Sequence, residues 1–332
     1  MRQLGLLVVL LAPALAHAEA ALTTHPVGPS AAAIARPDVV GGARVPAGRW
    51  PDAVAVIGDS GTCTGTLIAP DVVLTAGHCA ELAPTEIVAA TTDYGMGGTR
   101  LAVKSVTAYP SWRTSFDLAV LVLEKPVPGV TPRAVGAACT YDGLAAGTLV
   151  HLVGFGLTTA QGDGTNTALH EAMAPVVDAS CMGAEGCQKA IAPGGEFVAG
   201  GGGKDSCFGD SGGPVYLDTP RGQVLVGATS RGVAGSTTPC GDGGVYERTD
   251  KVIAWIEQVA GERIAVDSCD PDGGAVSESP ADADATAAGD GGCAASGGAG
   301  GALFALGTIG TLVALGTRRR PRGGRACPAV SA

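Results

Sequence analysis

Between residues 39 and 262 the chain is written in short runs rich in Val, Leu, Ile and Thr, each stopped within a few residues by Gly, Pro or Asp. Such runs occupy 53–57, 64–69, 72–75, 101–109, 118–123, 149–153, 214–217 and 224–229. Pieces this short cannot form packed helices, but they suit strands, and their recurrence between turn residues restricts the fold to an all-β sandwich or barrel. A helical period stands out in only one place. There Thr249 or Asp250 could cap a helix that carries Val252, Trp255, Ile256 and Val259 on one face and ends at Gly261.

The flanks have a different character. Arg2, an apolar stretch over 4–15 and the small-x-small triplet Ala16-His17-Ala18 form a secretory signal over 1–18. Residues 19–38 are rich in Ala, Pro and Thr without an apolar period, and suit a removable leader. The folded domain is therefore expected over 39–264. An acidic Gly/Ala-rich linker follows over 265–301, with six acidic and no basic residues between Asp270 and Gly292. Residues 302–317 are uncharged and mostly apolar, and 318–332 carry Arg318, Arg319, Arg320, Arg322 and Arg325, so the tail has the layout of a membrane stop with its arginines in the cytoplasm. As a helix this segment reaches about 24 Å, short of the roughly 30 Å hydrocarbon core. Together, Gly292-Cys293, the apolar stretch and the arginine cluster resemble the C-terminal sorting tag of myxobacterial-type surface proteins, which implies delivery to the cell surface or outside it. An ordinary single-span anchor is the competing reading.

Export places the ten cysteines in an oxidising compartment, where disulfides are expected. The formal net charge of −10, with no Lys/Arg cluster before the last fifteen residues, argues against a nucleic-acid surface.

Three segments carry chemistry. Thr75-Ala76-Gly77-His78-Cys79 follows an apolar strand and puts a histidine at its end. Phe116-Asp117-Leu118-Ala119-Val120-Leu121 heads a run that must be buried with a carboxylate, and a buried carboxylate needs a partner. Gly209-Asp210-Ser211-Gly212-Gly213-Pro214 holds a serine in a glycine-permitted turn where backbone N–H groups can converge. Each has a bland reading alone. Together they supply the nucleophile, base, orienting group and oxyanion donors that acyl transfer requires. Gly209-x-Ser211-x-Gly213 also fits the nucleophile elbow of α/β-hydrolases, where the histidine follows the serine. All five histidines precede Ser211, which rules that out. No paired Cys-x-x-Cys or His-x-x-x-His spacing supports a zinc site.

In the order His, Asp, Ser, the three segments resemble the chymotrypsin and trypsin family over residues 39–262. The resemblance implies two six-stranded Greek-key β-barrels with a C-terminal helix. It further implies an acyl-enzyme mechanism with Ser211 as nucleophile, His78 as general base and then acid, and Asp117 orienting His78, while the N–H groups of Gly209 and Ser211 form the oxyanion hole. Asp205, six residues before Ser211, matches the floor of the primary pocket, where a carboxylate selects Arg or Lys. Ser230, Gly232 and Gly244 match residues lining that pocket. Arg231 stands where the family usually has an aromatic residue.

The resemblance also makes Val39-Val40-Gly41-Gly42 a mature amino terminus whose freed amine pairs with Asp210. This sequence departs from the family pattern at the cleavage point, where Asp38 precedes Val39 and Pro37 follows Arg36, so the expectation is either a different, activating protease or no such processing. By the same resemblance Cys63 pairs with Cys79 and Cys207 with Cys240. A short Cys181–Cys187 closure and a Cys139–Cys269 pair are further expectations. The expected partners are protein or peptide substrates with Arg or Lys at the cleavage site, with no metal and no cofactor. A catalytically silent homologue serving as a surface binding module is the rival from another class.

Overall fold

The computed structural model describes residues 39–183 and 186–268. The signal, the leader, nearly all of the linker, the apolar segment, the basic tail and Cys269, Cys293 and Cys327 lie outside the described residues. Among the described residues no helix is long and apolar enough to cross a membrane.

A two-residue strand β1 (Ala43–Arg44) precedes β2 (Ala53–Gly58), β3 (Gly61–Ala69), β4 (Val72–Thr75), β5 (Glu86–Ala89), β6 (Thr99–Ala108) and β7 (Ala119–Leu123). Strands β2 to β7 close into one barrel in the order β2-β3-β4-β7-β6-β5. The second half contributes β8 (Leu149–Gly154), β9 (His170–Asp178), β10 (Glu196–Ala199), β11 (Pro214–Thr219), β12 (Gly222–Gly232) and β13 (Gly244–Arg248). These six strands close as a second barrel through the β8–β9 pairing, and β1 adds to the outside of β9. All the pairings between strands are antiparallel, so the chain is an all-β, two-barrel protein.

Apart from β6, where only Leu101 is buried, the runs are almost continuously apolar because their strands serve two cores. In β2, Val54 and Val56 face the interior of the first barrel, while Ala53 and Ala55 face a cluster shared between the barrels. Leu121 and Leu123 of β7 likewise point inward, and Val120 points to the shared cluster. In the second barrel Val226 joins Leu152, Phe197, Val215 and Tyr246 inside, and its neighbour Leu225 turns to the shared cluster. The period of two is thus present but hidden, since both faces exclude water.

A 3-10 turn (Thr249–Val252) leads into α1 (Ile253–Ala260), which ends at Gly261 with φ of 75°. Neither Thr249 nor Asp250 caps it through a side chain, contrary to expectation. The Thr249 hydroxyl instead donates to the Leu225 carbonyl in the core, a stronger claim on a buried hydroxyl than a helix end that begins four residues later. Val252 and Ile256 are buried in the shared cluster, and Trp255 and Val259 pack against it.

Past Ile264 the chain stays packed for three residues. Ala265 and Asp267 exchange backbone hydrogen bonds with Val135, and the Asp267 carboxylate is held by Arg221. The fold therefore extends to Asp267 rather than stopping at 264.

Candidate active site between the barrels

Register brings the distant segments together. Thr75 is opposite Ala119 in the β4–β7 ladder, so the chain leaving β4 toward His78 and the chain entering β7 from Asp117 share one sheet edge. His78 lies in a 3-10 turn (Gly77–Leu82) just beyond the strand. In the second barrel, Pro214 is opposite Ala228, which puts Ser211, before β11, and Ser230, late in β12, at one edge as well. A register shift between Thr229 and Arg231 marks a bulge at Ser230, a device that re-aims a side chain.

Asp117 holds His78 at two points. Its Oδ2 is 2.8 Å from the imidazole Nδ1, and its Oδ1 accepts the His78 backbone N–H at 2.8 Å. The Ser230 hydroxyl donates to Oδ2 at 2.7 Å. Burial alone would raise the Asp117 pKa, but the bonds and charge of His78, with the Ser230 bond, outweigh it and hold the carboxyl below its usual range. Gly77 permits this grip: a Cβ there would meet Trp112 at 2.8 Å and Asp117 Oδ1 at 3.0 Å.

The serine loop is stapled to the histidine segment. Thr64 in β3 donates its N–H to the Ser211 carbonyl at 2.9 Å and its hydroxyl to the Gly209 carbonyl at 2.8 Å. The Cys63–Cys79 disulfide joins that same strand to the residue after His78. Gly212, at φ of 77°, lies so close to the first barrel that a Cβ would fall 2.1 Å from Thr75 Oγ1 and 2.4 Å from the Ala76 nitrogen. His78, Asp117 and Ser211 accordingly line one cavity of about 420 Å³. Among the described residues the N–H groups of Gly209 and Ser211 donate to no protein acceptor, which leaves both free for a ligand oxygen.

Ser206, Cys207, Gly232 and Cys240 line the same cavity; Asp205 and Gly244 are not among its lining residues, and Asp205, next to Ser206, is 2 % exposed. Asp205 Oδ2 accepts the N–H groups of Gly241 at 2.9 Å and Gly243 at 3.1 Å. Its buried Oδ1 has no hydrogen-bond partner. Burial, helped by the charge of Asp242, raises its pKa against those two bonds. Gly232 and Gly244 face each other across the β12–β13 ladder. A Cβ on Gly232 would stand in open space, and one on Gly244 would lie 3.2 Å from Asp205 Oδ1. Ser230, read from the sequence as a pocket residue, does line the cavity, but its hydroxyl is committed to Asp117.

Val39 and Val40 are buried, and the Val40 carbonyl accepts the Asp205 N–H at 3.0 Å. Asp210 is 2 % exposed and accepts only backbone N–H groups, from Gly156 at 2.7 Å and Cys207 at 2.8 Å. Burial, aided by the Asp205 charge, outweighs them and pushes its pKa up to about 7. The disulfides Cys63–Cys79, Cys181–Cys187 and Cys207–Cys240 are all formed. Cys139 is disulfide-bonded too, and its expected partner Cys269 lies outside the described residues.

The family model for trypsin matches residues 39–256, the stretch that builds both barrels and this cavity. The chain belongs to the trypsin family. Its relatives include trypsin 5G1 of Aedes aegypti, 33 % identical over 67 % of this chain and 85 % of that protein. Serine protease 56 of Homo sapiens is 33 % identical over 66 % of this chain, which spans 38 % of that longer protein. Glucanase inhibitor protein 3 of Phytophthora infestans is 33 % identical over 68 % of this chain and 90 % of its own length.

In this trypsin-family site, sequence reasoning missed two features. One is the Ser230 bond to Asp117. The other is the surroundings of Arg231, whose guanidinium lines the cavity and reaches Ser230, Gly186 and Glu196. Only the unusual basic residue itself was a signal for the latter.

Proposed function

We propose that the chain is a serine endopeptidase that hydrolyses peptide bonds after Arg or Lys. Ser211 attacks the carbonyl carbon while His78 takes its proton, and His78 then delivers that proton to the leaving amine. Asp117 keeps the Nδ1 proton in place, so that the other imidazole nitrogen faces the serine, and it stabilises the imidazolium. The free N–H groups of Gly209 and Ser211 receive the oxyanion, where one such donor contributes on the order of 3 kcal/mol to barrier lowering. Water then repeats the sequence on the acyl-enzyme. The observation that carries the reading is the double grip of Asp117 on His78 beside a serine loop stapled to the same strand.

Specificity follows from Asp205. A buried carboxylate with one unpartnered oxygen and a raised pKa is relieved by a cation, and a guanidinium or ammonium arriving past Gly232 and Gly244 supplies one. Activation follows from Asp210, which has no cationic partner among the described residues; cleavage before Val39 by a separate protease creates an amine to pair with it. The signal and the disulfides favour export, and the 302–317 segment attachment to a membrane at the surface.

The test is turnover of arginyl, lysyl, phenylalanyl and alanyl amides by protein beginning at Val39, beside Ser211→Ala and Asp205→Ser. Loss of all turnover in the first variant and of Arg/Lys preference in the second is expected. Preference untouched by Asp205→Ser sinks the pocket assignment. The likeness to a protein named as a glucanase inhibitor supports a second reading, a binding module without catalysis. Correctly trimmed protein that turns over none of the amides favours it.

A further inference from the structure

We infer that Arg231 is a positioning residue for the His78–Asp117 pair: anchored by the buried Glu196 and the Gly186 carbonyl, it holds the Ser230 hydroxyl oxygen in line to donate to Asp117. The inference rests on the hydrolytic reading above and adds to it.

A guanidinium can only donate. Arg231 Nη1 lies 2.9 Å from Ser230 Oγ, so that oxygen must accept. A hydroxyl has one hydrogen, and Asp117 as a carboxylate can only accept, so that hydrogen points to Oδ2 at 2.7 Å while Arg231 fills one of the oxygen's two lone pairs from the other side. The same carboxylate oxygen faces His78 Nδ1 at 2.8 Å. Donation therefore runs one way from guanidinium to hydroxyl to carboxylate, with the imidazole N–H arriving from the other side. Without Arg231 the Ser230 hydroxyl could rotate, and its bond to Asp117 would be optional.

The fork is held rigidly enough to do this. Nη2 reaches Glu196 Oε1 and the Gly186 carbonyl, both at 2.6 Å, and Nε reaches Gly186 at 3.1 Å. Glu196 is 1 % exposed, and its second oxygen accepts the Gln188 N–H at 2.7 Å. Gly186 is in turn fixed by the Cys181–Cys187 loop closure. The groups facing Arg231 are Ser230 on its own strand, Glu196 from β10, Glu247 from β13 with Oε1 at 3.6 Å, and Asp117 with His78 beyond the hydroxyl. Glu247 is fully buried opposite Glu196, and burial together with the Glu196 charge drives its pKa well above the ordinary range. Nε and Nη2 are thus spent on Gly186 and Glu196, and Nη1 is left to reach Ser230.

The test compares the full chain, cut to begin at Val39 as for the turnover test above, with Arg231→Met, Arg231→Lys and the double variant Arg231→Met/Glu196→Gln, which removes both members of the Arg231–Glu196 ion pair. Three readings are taken: the thermal midpoint, the pH profile of kcat and KM on a small amide substrate, and the low-field NMR resonance of the proton between His78 Nδ1 and Asp117. With its fold intact, the double variant is expected to lose about tenfold in kcat with KM unchanged, the loss of one charge-assisted hydrogen bond. Its acidic limb moves to higher pH, because a carboxylate deprived of its hydroxyl donor holds the imidazolium more strongly, and the resonance shifts. Arg231→Lys restores the thermal midpoint lost in Arg231→Met but not the limb. A folded double variant with the wild-type limb and resonance overturns the inference. If the wild-type protein turns over nothing, the hydrolytic reading fails, and the resonance still decides the role of Arg231.

Discussion

Asp117 binds both the ring and the backbone of His78, each at 2.8 Å, so that one carboxylate fixes where the imidazole is and which of its nitrogens carries the proton. An amide cannot serve both contacts in the same way, since one of its two heads donates. In Asp117→Asn, kcat is expected to fall on the order of 10⁴-fold with little change in KM. Its pH dependence of stability should change as well. The folded pKa of Asp117 lies below its unfolded value of 3.8, so its stabilisation is present above that value and is lost as pH falls through the folded pKa. Thermal midpoints below about pH 4 should therefore decline less steeply in the variant.

Asp210 behaves in the opposite sense. Its pKa in the uncut chain is about 7 against the ordinary 3.8, so the folded form binds the extra proton between those values. Its contribution to stability is complete below pH 3.8 and disappears as pH rises through 7. The precursor should lose stability over this window. Protein cut to begin at Val39 should be flat there or rise, and melting curves of the two forms at pH 4, 5.5 and 7.5 check it. Identical profiles would remove Val39 from its proposed partnership.

Two glycines should separate binding from folding. Gly232→Val places its Cβ where nothing lies within 4 Å, so the melting temperature should hold while kcat/KM for arginyl amides falls at least about tenfold as the cavity fills. Gly212→Ala places a methyl 2.1 Å from Thr75 Oγ1 on a backbone with φ of 77°, and should cost about 1–3 kcal/mol of stability along with activity. Denaturant melts with parallel kinetics on both variants give the comparison.

Asp205→Asn retains the shape of the pocket floor but not its charge. Turnover of arginyl and lysyl amides should fall by about two orders of magnitude, with the alanyl amide little affected, as expected when one close charge pair of about 2–3 kcal/mol is lost. Equal losses on all substrates would place Asp205 in a structural role.

Much of the architecture was legible because seven of the eight apolar runs lie in strands buried on both faces, β6 with its single buried Leu101 being the exception. The strands that escaped notice lack that mark. β10 and β13 carry Glu196 and Glu247 at buried positions, β9 is interrupted by Pro175, β5 has only four residues and begins with Glu86, and β1 is two residues long. At the site, His78, Asp117 and Ser211 were readable because each sits in a short local motif. Ser230's bond to Asp117 and Arg231's four contacts were not, since they come from a bulge and from partners 35 to 113 residues away.

His78 and Asp117 belong to the first barrel and Ser211 to the second, with Gly212 pressed on Thr75 as the point of contact. The pair proposed to react is thus assembled across a seam rather than built into either half. A molecule that pries open this seam would silence the protein while both barrels kept their shape, and it would do so without competing for the substrate cleft.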